Sequence, residues 1–195
     1  YDPGSREAKL MFANALRRLG LVEASLVPYR QVLDLDADAD EARFGEAMAL
    51  VWLGRHREAR ERLAVAARYH PGHPAFATAL ARLLAASPDA QVRNGQRAFE
   101  LIEAVVAEYK TTAVAETMAM ALAELGEFRG AAEWQRLAMD VARDAGQQGL
   151  AQQMSANLVL YNRGEPCRTP WRDDEPEHRP GLGVESGLFG AEPPL

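Results

Sequence analysis

Residues 42–71, ARFGEAMALVWLGRHREARERLAVAARYHP, read as two amphipathic helices hinged at Gly54 and closed by Pro71, and their landmarks return at a fixed interval. Moved 34 residues upstream, Ala47, Leu50, Gly54 and Ala59 fall on Ala13, Leu16, Gly20 and Ser25. Downstream, past a small insertion, they return as Ala119, Leu122, Gly126, Ala131 and Ala138. A weaker copy between them has Leu80, Ala81, Leu84, Ala98 and Val105, with its hinge replaced by the insertion at 87–94. A unit of this size cannot bury its apolar face alone, so neighbouring copies must stack, and the chain is expected to be all-α.

Composition agrees with the period. Hydrophobic residues make up 48% of the chain, enough for a buried interior. Alanine is abundant, and β-branched and aromatic residues never cluster in period-two runs. A net charge of -6, with no block of lysines or arginines, argues against a nucleic-acid partner, which would demand a concentrated basic face. The single cysteine, Cys167, allows no internal disulfide and no paired-cysteine metal or haem motif. No apolar run approaches the roughly 20 residues of a membrane span, so direct membrane insertion is not expected.

Helices are predicted at about 6–19, 22–35, 40–53, 56–69, 74–86, the stretch carrying Ala98 to Val106, 112–125, 128–145 and 147–161. Ser5 is placed to cap the first, and Pro28 near the second turn of the second helix predicts a local bend. Asp34, Asp36, Asp38 and Asp40 form a polar link read as a solvated turn capping the third helix. The glycine and bidentate glutamate of a calcium loop are missing. The insertion at 87–94 reads either as a tolerated surface loop or as a contact loop. The last helix carries Leu150, Met154, Leu158 and Tyr161 on one stripe and glutamines on the other, as an end helix should. From Arg163 onward proline, glycine and charge dominate and no regular structure is predicted.

With small residues at Ala47, Ala59 and Ala66, a large apolar one at Leu50, a hinge at Gly54 and a closing Pro71, the pattern resembles the tetratricopeptide repeat. The resemblance implies a right-handed α-solenoid of about four such repeats with a C-terminal capping helix and an irregular tail. On that reading 1–5 end a preceding repeat, and the repeats occupy 6–39, 40–73, 74–111 and 112–145. The cap is 146–162 and a Pro/Gly-rich acidic tail is 163–195. Tyr1-Asp2-Pro3 matches Tyr69-His70-Pro71 in register, so the numbered chain is read as the C-terminal part of a longer protein. The segments around 86–101 and 158–168 also resemble the closing part of large bacterial proteins of this family. That sets a lean toward the cell envelope or the extracytoplasmic side.

In the family, the first helices of successive repeats line a groove that receives a segment of a partner protein. Carried over by position, the groove would include Asn14, Arg17, Phe44, Met48, Trp52, Arg82, Glu116 and Met120. Phe44, Met48 and Trp52 stand four residues apart and form one stripe, suited to a binding hot spot. Arg43 and Glu46 depart from the pattern, and a rotated helix would instead bury that stripe as core. Of the residues with which some relatives clamp a terminal carboxylate only Asn14 matches, since Leu10, Gly45, Ala75 and Ala79 hold the other places.

No catalytic constellation or cofactor site is expected. His70 and His73 lie on one inter-repeat turn without a third ligand nearby in sequence, and no base lies near Cys167. In the tail, Leu182, Val184, Leu188 and Phe189 are apolar anchors in an acidic stretch and are expected to dock on protein, either this chain or a neighbouring subunit. The leading expectation is a non-catalytic protein-binding scaffold. The alternative is an accessory part of a larger enzyme or electron-transfer protein whose chemistry lies outside this chain.

Overall fold

The structure, a computed structural model, describes residues 5–173 and 175. Among these residues every regular element is a helix: α1 (Arg6–Arg18), α2 (Val22–Leu35), α3 (Asp40–Trp52), α4 (His56–Tyr69), α5 (Pro74–Ala86), α6 (Gly95–Val106), α7 (Thr112–Glu124), α8 (Phe128–Asp144) and α9 (Gln148–Asn162). Two compact units divide the chain. The described residues of the first are 5–76 with 171–173 and 175, and those of the second are 77–170.

Local signals place the helix ends. Ser5, Asn94 and Thr111 each accept a bond from the backbone N–H three residues on, capping α1, α6 and α7. The aspartates before α3 act differently from the sequence expectation. Ala39 holds the cap position without a side-chain bond, and Asp36 instead accepts from the Asp38 N–H at 3.0 Å in a turn of its own. Helix α2 runs unbroken through the buried Pro28.

Gly54 takes φ 72°, a conformation costly to any residue with a Cβ, and the Arg55 N–H then reaches back to the Leu50 carbonyl at 2.9 Å. The same closure recurs from Leu21 to Leu16 and from Glu127 to Leu122, so the large apolar landmark of each copy is also its carbonyl acceptor. In the third copy no glycine is available. There the Leu84 carbonyl accepts instead from the Asn94 N–H at 2.9 Å, across the insertion. The insertion is folded onto the second unit: Val92 is buried, and the Arg93 guanidinium donates to the Ser87 carbonyl at 2.8 Å and pairs with Glu124 of α7 at 3.0 Å.

In the first unit α3 packs against α1, α2 and α4 and is buried on nearly every side, from Ala42 and from Phe44 through Val51. Small residues permit the approach: Ala47, Ala59 and Ala66 are all closed to solvent. In the second unit α8 packs on both α7 and α9. Ala115, Ala138, Met139, Ala142, Ala151 and Met154 form one core cluster there, with Trp134, Leu150 and Leu158 against them. Each large side chain so buried contributes about 1.5–3 kcal/mol, and this burial, more than helix propensity, holds the array together. Gln152 and Gln153 of α9 face outward as the sequence predicts.

Candidate functional site

In the first unit the side chains of α1 and α3 are tied to α2. Asn14 accepts a 2.5 Å bond from the Tyr29 hydroxyl, and Arg17 donates to the Gly45 carbonyl at 2.9 Å with its guanidinium 5.7 Å from the centre of the Tyr29 ring. A Cβ at Gly45 would stand 2.3 Å from that ring, so the glycine is what allows Tyr29 to bury itself completely. Phe44 and Met48 are buried, Phe44 with its ring 6.2 Å from that of Phe76 on a tilted approach. Trp52, the last of the stripe, is partly exposed.

The Arg43/Glu46 departure is accommodated without turning Phe44 and Met48 outward. Glu46 is buried, and its carboxylate pairs with Arg30 of α2 at 2.9 Å and lies 3.8 Å from Arg62 of α4. Arg43 donates to the Ala37 carbonyl. A cleft of about 310 Å³ beside this cluster is walled by Leu33 and Val65, with carboxylates of Glu46, Glu58 and Glu61 against the guanidiniums of Arg43 and Arg62.

His70 and His73 both face one carboxylate. The Asp40 oxygens lie 3.0 Å from His70 Nδ1 and 2.7 Å from His73 Nε2, tying the turn after α4 to the start of α3. Among the described residues no three His, Cys, Asp or Glu side chains converge as a metal would require.

In the second unit the predicted positions Arg82, Glu116 and Met120 are all buried. Arg82 donates to Glu116 Oε2 at 3.0 Å, and Asn157 of α9 donates to the other oxygen at 3.4 Å. Such a pair is tolerable only because each charge finds hydrogen bonds as well as its counter-ion. Further contacts come from the chain's own irregular segment after α9. The Pro170 carbonyl accepts from Arg82 Nε, and Arg168 pairs with Glu124 at 2.5 Å. Cys167 is buried, its sulfur held at 3.3 Å from the Thr169 carbonyl. Burial pushes the Cys167 thiol up, which leaves it protonated and a poor nucleophile at neutral pH. The Tyr161 hydroxyl is pushed up as well, by burial and by the nearby Cys167 and Glu116.

Two parts of this arrangement could not be read from the sequence. Asn157 and Tyr161 join the predicted Arg82 and Glu116 only through the packing of α9. The 165–170 segment carries no periodic signal that would bring it to α5 and α7. The proposed tail anchors Leu182, Val184, Leu188 and Phe189 lie outside the described residues. Among the described residues no helix is long and apolar enough to cross a membrane.

No curated protein matches the chain. Among solved structures it is similar to MamA, residues 41 to the end, from Desulfovibrio magneticus RS-1, at 14% identity and a TM-score of 0.56, over 82% of this chain and 98% of that one. A family profile described as tetratricopeptide repeat matches residues 28–83. With the helical hairpins, hinge glycines and small-residue contacts above, these likenesses identify the fold as an all-α solenoid of helical repeats, with the tetratricopeptide-repeat likeness carried by residues 28–83.

Proposed function

We propose that the chain is a non-catalytic scaffold that binds an extended segment of a partner protein along the face lined by the first helices of its repeats. The observation that carries this reading is in the second unit, where Arg82 of α5 and Glu116 of α7 form a polar pair and Arg82 also meets the main-chain carbonyl of Pro170, in a segment without regular structure. A surface that satisfies an extended backbone through side chains is suited to holding a peptide. Met120 adds adaptable apolar area on α7. In the first unit Trp52 offers the accessible contact, while Asn14, Arg17, Phe44 and Met48 form the packed backing that holds α3 in place.

Selection of displayed dodecapeptides on the immobilised full chain tests the reading. Enrichment of a sequence class that binds the purified protein, and is weakened at least tenfold by Arg82→Ala or Trp52→Ala with helical circular dichroism unchanged, supports it. Failure of any class to enrich on a folded chain, with or without residues 166–170 intact, sinks it.

A further inference from the structure

We infer that residues 166–170 are a resident ligand of the α5–α7–α9 face, and that a partner must displace them with a segment of the same chemistry. The inference rests on the peptide-binding reading above and names its ligand class and its regulation.

Helix α9 stops where Gly164 takes φ 74°, and the Glu165 N–H closes back on the Leu160 carbonyl at 3.0 Å. Among the described residues beyond it there is no further helix or strand, and the backbone groups of Cys167, Thr169 and Pro170 that are bonded meet side chains. Arg82 takes the Pro170 carbonyl, Glu124 takes the Arg168 guanidinium, and Cys167 sits buried with its sulfur 3.4 Å from the Thr169 nitrogen that donates to it. These are the ties of a bound peptide rather than of a packed element. Prolines at 166 and 170 keep the segment extended and cheap to order.

One group in the face is left unmet. Tyr161 is 2% exposed, and among the described residues its hydroxyl has no hydrogen-bond partner. A thiol is a weak acceptor, whereas a small polar side chain at the position of Cys167 would serve the hydroxyl better. The geometry therefore specifies a preferred ligand: an extended segment with Ser, Thr or Asn where the resident has Cys167, Arg or Lys where it has Arg168, and a free main-chain carbonyl two residues later for Arg82. The resident segment competes because it is tethered, at an effective concentration on the order of millimolar, although its own fit is imperfect.

Cys167 provides the readout, being the chain's single cysteine and buried. In the unmodified full chain, its reaction with a thiol reagent should proceed by a local opening, at a rate that changes little across denaturant concentrations that leave the helices intact. Protection that disappears only in step with helix unfolding would make the segment an integral part of the fold and overturn the inference. Reactivity that slows with rising protein concentration would place the segment on a second copy and overturn it too.

The second measurement uses the labelled peptide Gly-Glu-Pro-Ser-Arg-Thr-Pro. It should bind at least tenfold more tightly to a full-length variant carrying Pro166→Gly, Cys167→Gly, Arg168→Ser, Thr169→Gly and Pro170→Ser than to the unmodified chain. Adding Glu124→Gln to that variant should weaken it. Equal affinity for both proteins overturns the inference. Displayed peptides that enrich while this peptide fails to bind the variant would overturn the inference alone, leaving the peptide-binding function standing.

Discussion

Gly45 is the residue on which the first unit's packing turns, for a reason of space rather than backbone conformation. A methyl there meets the Tyr29 ring at 2.3 Å, and the ring is held in place by its hydroxyl's bond to Asn14. Gly45→Ala should lower the unfolding free energy by about 1–3 kcal/mol or more, read from the urea midpoint. Gly149, near the start of α9 with nothing within 4 Å of its added Cβ, is the control. Gly149→Ala should be neutral or stabilise by up to about 1 kcal/mol. At Cys167 the folded chain holds the thiol pKa above its ordinary value, so the unfolded chain releases the proton first. The stabilisation is intact below about pH 8.5 and is lost as pH rises through the folded value, at up to about 1.4 kcal/mol per pH unit. Denaturation midpoints at pH 7.5, 9 and 10 should therefore decline, and Cys167→Ser should flatten the first part of the decline. Tyr161, shifted in the same direction, extends the decline above about pH 10.

At the scale of the element, each of the four repeat hairpins is closed by a backbone bond to a leucine carbonyl, and in three of them a glycine lets the chain reach it. Gly54→Ala places a Cβ at φ 72° in open space, so the cost is conformational alone, about 1–2 kcal/mol in thermal or chemical denaturation. Gly54→Asn should cost less, because asparagine tolerates the left-handed region. The third hairpin shows that the bond, not the glycine, is the requirement. Its insertion looked like a break in the repeat, yet Asn94 restores the bond to Leu84 and also caps α6.

For the molecule as a whole, the charge balance sets a separate expectation. A net charge of -6, with described arginines such as Arg30, Arg82 and Arg93 paired to nearby carboxylates, argues against a basic track for phosphates. The chain should cause no mobility shift of duplex DNA at about 50 mM salt, where a phosphate-binding surface gains most from counterion release. A shift that vanishes as salt rises would reveal such a surface. Partners are expected to be recognised instead by side chains acting on an extended backbone, as Arg82 acts on Pro170.

What the sequence determined by itself was local: helix spans, the hinges at Gly20, Gly54 and Gly126, the Ser5 cap, and small residues at the helix contacts. These depend on interactions within a few residues, repeated at one period, and are legible for that reason. It also named Arg82 and Glu116, because the repeat register carries positions from copy to copy. Only the tertiary structure decided that Phe44 and Met48 lie inside while Trp52 reaches the surface, since α3 is enclosed by three helices and the buried Glu46 is neutralised by arginines from two of them. It alone brought Asn157, Tyr161 and residues 166–170 to the Arg82–Glu116 pair. Those contacts join positions far apart in the chain through α9 and an aperiodic segment, and no period in the sequence marks them.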